Sequence, residues 1–348
     1  AGLYDGRLQP LSWRTGRVGR PFRGRHNDEV VCIALNESHV LSGSGDPGYH
    51  NRQPADSSVK LWTRAGGLLA SFRKHEDTVR GVVLFPSSSG LGSYGLSAGL
   101  DAQVVLWSLE DKEAAASLKL PGPCRCLRLV PAPEWEGLGA GPRAAAEARV
   151  LASAGEAVAE LVVRSRGEGK GVELALLEAV SVRSCMVSGV DCYVSPKTWA
   201  ELPPGVLYPP SLLRSPGATV AGGSTDGRLW ALGRRREGCI VQARSVLGGG
   251  FGSLVAEVIS VEILEGKQLL TICRTGVLCL VAWTEDISEA CMRWAKQGWR
   301  MYVSTMRRRE PGLLVTDGFD NAIGTLRVGA PSGAGLKVDE SSDSEGEL

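Results

Sequence analysis

KHEDTVRGVVLF (74–85), followed by YGLSAGLDAQVVLW (94–107), is the stretch that decides the fold. It holds a His before an apolar run, a Ser in a second run, an Asp-led turn, and a third run ending in Trp. The markers are His75, Ser97, Asp101 and Trp107. An earlier copy has His26, Ser42, Asp56 and Trp62 and closes in SVKLW (58–62). Trp62 and Trp107 stand 45 positions apart. Self-similarity at such a period means stacked supersecondary units, each too small to bury its own apolar face.

Working outward, apolar runs bounded by turn residues give the remaining strands. Residues 5–13 and 17–25 read as the third and fourth strands of an N-terminal unit. VVCIAL, HVLSGS, SVKLW and LLASF make the second unit, with an insertion at 46–55. VRGVVLF, YGLSAG, QVVLW and AASLKL make the third. The fourth is CRCLRLV, RVLASAG, AVAELVVRS and VELALLEAV, interrupted at 131–148. The fifth opens at VSVRSCMVSGV (180–190), breaks into a Pro-rich loop over 190–216, and resumes as TVAGGSTDGRLWAL and CIVQARSV. The sixth is AEVISVEIL, QLLTICRTG, VLCLVAW and ACMRWAKQ. The seventh is RMYVSTM (300–306), LLVTDGFD, AIGTLRV and GLKV.

The bulk numbers allow this. A chain of 348 residues with 43% hydrophobic content can build one large closed ring. Its 45 Gly and 18 Pro suit many tight turns. A net charge of +1 argues against a dominant nucleic-acid field, though local patches remain open. Nine Cys, several of them in apolar runs and none in a CxxC pair, read as reduced buried thiols of a cytoplasmic or nuclear protein. All four His fall in the first quarter of the chain, far from most Cys, so no metal and no cofactor is expected. No run is long and apolar enough for a membrane helix, and the Arg-rich N-terminus has no signal-peptide core. The glycine-rich stretches lack the Lys-Ser/Thr of a phosphate loop. The chain begins at Ala1, which fits a removed initiator or a fragment.

Four strands per unit at this spacing resembles the WD-repeat β-propellers. The resemblance implies an all-β fold of four-stranded antiparallel blades, seven in number, over 1–338. An acidic, Ser-rich tail, expected to be disordered, follows at 339–348. The Trp-Asp dipeptide of the family is absent: Trp62-Thr63, Trp107-Ser108, Trp230-Ala231 and Trp283-Thr284 stand there instead. The resemblance also implies that His75, Ser97, Asp101 and Trp107, and likewise His26, Ser42, Asp56 and Trp62, form structural hydrogen-bonded chains. Thr316 and Asp320 keep half of the set. A hydrolase triad is the rival reading of Ser, His and Asp. It is disfavoured because the set recurs, lacks a nucleophile elbow and is completed by Trp. For ring closure two readings stand: a first blade missing two upstream strands, or six blades closed by one shared between the chain ends.

Three patches are candidates for partner contact. Arginines crowd the N-terminal unit (Arg7, Arg14, Arg17, Arg20, Arg23, Arg25), a turn (Arg234, Arg235, Arg236), and a stretch before a turn (Arg307, Arg308, Arg309). They are either solvated loop charge or contacts to RNA phosphates. The insertions carry Tyr49, His50, Asn51 and Arg52, then Trp135, Tyr193, Trp199 and Tyr208, which suit an interface or pack locally. In the tail, Ser341, Ser342 and Ser344 precede acids, as phosphorylation sites of acid-directed kinases do. The function expected is a non-catalytic protein-interaction scaffold in a protein or ribonucleoprotein assembly. The alternatives are a ubiquitin-ligase substrate receptor, which Trp62-Thr63-Arg64 matches poorly, and a propeller enzyme with polar groups converging in its channel.

Overall fold

Short apolar runs joined by tight turns pair with their sequence neighbours, and the chain folds as a series of antiparallel meanders. The computed structural model describes residues 1–12, 15, 17–45, 56–132, 146–167, 171–182, 186–203, 206–215, 217–234, 240–244, 257–264, 268–273, 277–283, 290–297, 306–310, 313–317 and 323–327. The first sheet is β1 (Val30–Leu35), β2 (His39–Ser44), β3 (Val59–Thr63) and β4 (Leu68–Phe72). The second is β5 (Val79–Leu84), β6 (Tyr94–Gly99), β7 (Gln103–Ser108) and β8 (Glu113–Lys119). The third is β9 (Leu127–Val130), β10 (Glu147–Ala154), β11 (Ala157–Ser165) and β12 (Val172–Ser181).

The fourth is β13 (Val187–Val194), β14 (Ala218–Ser224), β15 (Leu229–Arg234) and β16 (Ile240–Arg244). The fifth is β17 (Val258–Leu264), β18 (Gln268–Cys273), β19 (Val277–Trp283) and β20 (Ala290–Gln297). Three strands form the sixth: β21 (Met306–Glu310), β22 (Leu313–Asp317) and β23 (Ile323–Arg327).

First strands stack on first strands. β1 packs on β5, β5 on β9, β9 and β10 on β13, β13 and β14 on β17, and β17 on β21. The middle strands, covered on both faces, are buried along their length, as in β6, β7, β10 and β11. Among the fourth strands, β8 exposes every second residue. Core clusters sit between consecutive sheets. One joins the second to the third around Phe85, Leu96, Leu106 and Leu161. Another joins the third to the fourth around Leu151, Val190, Leu212 and Trp230.

The structure differs from the sequence reading at three places. Among the described residues of 5–13 and 17–25 there is no regular strand: the N-terminal segment makes isolated bridges, Gly2 with Leu8, Leu11 with Val18, and Arg23 with Gly67. It serves as a cover. Trp107 stacks at 4.5 Å on Phe72 of the preceding sheet, whereas Trp62 has no described sheet before it. Leu8 and Phe22 pack there instead, the Phe22 ring 5.7 Å from Trp62. The first strand of the fourth sheet is Val187–Val194, not 180–190, because Val180 and Ser181 complete the long edge strand β12. The first strand of the last sheet is Met306–Glu310, so Arg307, Arg308 and Arg309 lie inside a strand. The tail at 339–348, with Ser341, Ser342 and Ser344, lies outside the described residues. So do Tyr49, His50, Arg52, Trp135, Arg235, Arg236 and Asp320.

Candidate functional site

Two tetrads pin their blades. In the second sheet Trp107 Nε1 donates to Ser97 Oγ at 2.8 Å, and Ser97 Oγ meets His75 Nε2 at 2.7 Å. His75 Nδ1 meets Asp101 at 2.9 Å. Since the carboxylate can only accept, Nδ1 carries the proton and Ser97 donates to Nε2. Asp101 also accepts the backbone N–H of Glu76 and of Gln103. Burial tends to raise the Asp101 carboxyl, and His75 together with the backbone N–H groups of Gln103 and Glu76 outweighs it, holding it below its usual value.

The first sheet departs from this. Trp62 Nε1 donates to Ser42 Oγ at 2.9 Å, and Ser42 meets His26 Nε2 at 2.7 Å. His26 Nδ1, however, is 3.0 Å from Ser58 Oγ and 3.6 Å from Asp56, so Ser58 is its nearest partner. Asp56 accepts the N–H groups of Asn27 and Ser58 and is held well below the carboxylate range although burial opposes this. Burial lowers the His26 pKa, with Asp56 offsetting only part. Ser42 and Ser97 are fully buried, each with its oxygen bound by an indole. Neither presents a nucleophile.

The other sheets fill the same register differently. Trp62 and Trp107 stand opposite Val40 and Gly95, two residues before the Ser. Those places are filled by Leu161 opposite Val150, Leu232 opposite Val220, Val281 opposite Leu269, and Leu326 opposite Leu314. Trp230 instead faces Gly222, which holds the hydroxyl position. A Cβ on Gly222 would come within 2.2 Å of the Trp230 ring, so the indole occupies the space the hydroxyl would take. Trp230 Nε1 and Ser224 Oγ have no hydrogen-bond partner among the described residues. Thr316 keeps the hydroxyl register, opposite Gly324.

The sequence reading missed a charged layer on the first strands. Ala34, Val83, Arg128, Asp191, Glu262 and Arg307 each face the residue just before the hydroxyl position: Leu41, Leu96, Leu151, Ala221, Leu270 and Val315. Four successive sheets thus place a charge at one equivalent position. Arg128 Nε donates to Asp191 Oδ1, and Arg128 Nη2 to Glu262 Oε2, both at 2.8 Å. Asp191 Oδ2 accepts Ile263 N–H at 2.8 Å. A side chain of β9 that reaches β17 must pass β13, so the layer lies on the inner side of the first strands. Burial disfavours the Arg128 charge, and the two carboxylates outweigh it and raise the pKa further. Below it, Arg125 Nη1 donates to Glu257 Oε1 at 2.8 Å and so also spans β13. The available signal was a lone charge inside each apolar run: CLRLV, GVDCY and SVEIL.

The long insertion between β13 and β14 folds back on the third sheet. Glu160 in β11 is fully buried; one oxygen meets Arg149 Nη1 at 2.5 Å, and the other accepts the N–H of Leu212 at 2.8 Å. Ser211 Oγ donates to the same carboxylate. Burial raises the Glu160 pKa, and Arg149 opposes this. Tyr208 is buried with its hydroxyl donating to Val130 O at 2.8 Å. Trp199, in the helix α1 (Pro196–Ala200), is half-buried edge-on to Tyr208. Arg234 ends β15, and Arg307, Arg308 and Arg309 occupy β21.

Among the described residues no group of three or more His, Cys, Asp or Glu is placed to hold a metal ion. Six described cysteines are free of disulfides. Burial raises Cys273 to about 12 and Cys279 to about 11. No described helix is long and apolar enough to cross a membrane.

Stacked four-stranded meanders with an inner ring of first strands define a β-propeller, and comparison with known proteins places it further. No family model matches the chain, and no curated protein matches it in sequence. Among solved structures it is similar to U3-55K, with 13% identity and a TM-score of 0.59, covering 91% of this chain and 83% of that one. It is similar to the WD40 repeats of RRP9, with 13% identity and a TM-score of 0.60, covering 91% and 82%. It is also similar to the β-propeller domain of Cps50 (Swd1) from Myceliophteria thermophila, with 15% identity and a TM-score of 0.50, covering 90% and 86%. The fold is that of the WD40-repeat β-propellers.

Proposed function

We propose that the chain is a non-catalytic protein-interaction scaffold within a multi-protein or ribonucleoprotein assembly of the cytoplasm or nucleus. It works without a cofactor or small-molecule substrate. One observation carries this reading: the titratable groups described on the inner strands and in the tetrads are already engaged. Asp191, Glu257 and Glu262 each face an arginine, and both Asp191 oxygens are bound. His75 and His26 are tied to serines sealed under indoles. A general base needs a lone pair free to reach a substrate proton; these groups hold the ring instead. Acids on inner strands would favour a propeller enzyme, and their arginine partners answer it.

A rigid ring with an occupied interior leaves its faces and insertions to act. The contacts proposed are the insertion carrying Tyr49, His50 and Arg52, the edge of Trp199, and the arginines of 234–236. Phosphorylation of Ser341, Ser342 or Ser344 would deepen the negative charge of the tail. Affinity capture of the native protein, with and without nuclease, followed by mass spectrometry, tests the reading. A fixed set of stoichiometric partners is expected. Recovery of the chain alone contradicts it.

A further inference from the structure

We propose that the N-terminal arm, residues 17–25, is a phosphate-binding surface for single-stranded RNA; this rests on the assembly reading in its ribonucleoprotein form. Charge in this chain is segregated. Residues 1–25 hold six Arg, no Lys and a single acid, Asp5, although the whole chain balances 39 bases against 38 acids. Arg7 is spent on Asp5 at 2.6 Å. Arg17, Arg20, Arg23 and Arg25 are exposed, and none has a carboxylate partner among the described residues.

The arm is held in place. Leu8 is buried against Val40 and Trp62, and Phe22 packs beside them. Phe22 N–H donates to Leu8 O at 2.9 Å, and Arg23 N–H donates to Gly66 O at 2.8 Å. The arginines therefore project from an anchored backbone, and binding does not have to order it. Lys60 Nζ donates to Arg25 O at 2.6 Å and extends the basic run onto β3. The choice of Arg over Lys is chemical evidence. Solubility needs only charge, whereas the planar guanidinium fork matches two phosphate oxygens at once. Of the other two clusters that suggested RNA, the arginines at 307–309 lie on a first strand, with Arg307 at the register of the buried ion layer.

The test is fluorescence anisotropy of the full chain with labelled oligo(U) over a salt series. Four single-strand phosphate contacts contribute about 3 to the slope of log affinity against log salt. R17Q/R20Q/R23Q/R25Q should lose that part of the slope. Across a fourfold rise in salt the wild type should then weaken about 50-fold more than the variant. The four sites are exposed, so the melting temperature should not move. R17K/R20K/R23K/R25K should keep the slope and lose affinity several-fold. An unchanged slope in the glutamine variant overturns the proposal. So does equal affinity in the lysine variant, or competition by polyglutamate as strong as by RNA, which would mark an acidic protein partner. If capture returns the chain alone while oligo(U) binding follows the arm, the assembly reading fails and the surface stands.

Discussion

Replacing Arg128 by Met removes a cation shared by two buried carboxylates. Asp191 and Glu262 have side chains only 4% and 1% exposed, and both take a guanidinium hydrogen bond at 2.8 Å. Breaking a buried pair by deleting one partner costs about 3–5 kcal/mol. Arg128 is itself 24% exposed, so water can partly solvate the bereaved acids and the lower half of that range applies. A chain of 348 residues has an unfolding entropy of about 0.7 kcal/mol/K, so the loss reads as a melting shift of about 4–6 °C. The control is R128M/D191L/E262M. Replacing a whole buried ion cluster by apolar groups of similar volume is close to neutral, but Ile263 N–H loses its acceptor, so the triple variant should melt above the single and short of the wild type. Differential scanning calorimetry at neutral pH measures both. A shift under about 1 °C for Arg128→Met would refute the claim that the layer locks the blades, as would a triple variant less stable than the single.

His75→Ala leaves Ser97 and Asp101 short of a partner and should cost about 1–3 kcal/mol, seen as a lower denaturation midpoint; an unchanged midpoint argues against the tetrad. His26 has its pKa lowered by burial, so the folded chain binds fewer protons than the unfolded one near and below pH ~6.5. Its contribution is present above that pH and is lost as pH falls toward the folded value. The melting temperature should therefore drop between about pH 7.5 and 5.5, less so in His26→Gln; equal drops in the two proteins contradict this. Glu160→Ala removes the acceptor of the Leu212 and Leu213 N–H groups and one of two acceptors of Ser211 Oγ, and should open the segment 206–215 to limited proteolysis while the sheets persist. Resistance equal to wild type would show that Tyr208 and Leu212 packing alone holds it.

What was legible followed from local chemistry. His75, Ser97, Asp101 and Trp107 lie within one meander, so their spacing alone puts them together, and strands such as VRGVVLF and QVVLW are bounded by their own turns. The charged layer is long-range. Arg128 and Glu262 are 134 positions apart and become neighbours only when successive sheets stack. Asp191 is hidden further because the sequence opens the fifth unit at 180–190, which leaves GVDCY at the start of a loop. The reason is that VELALLEAVSV (172–182) holds no Gly, Pro, Asn or Asp, so no turn residue marks where the strand ends. The N-terminal segment misled for another reason: its apolar residues Leu8 and Phe22 have strand-like spacing, yet they serve as a lid on Trp62. Likewise Trp230 and Trp283 keep the family's Trp spacing only approximately, and the register places Leu232 and Val281 where Trp62 and Trp107 would be.

The most direct test of the scaffold claim is the mass, by light scattering, of the native protein released from affinity capture under mild conditions. The account predicts one discrete species heavier than a single chain, with fixed stoichiometry. A species of one chain, with no partner at any salt concentration, would contradict it.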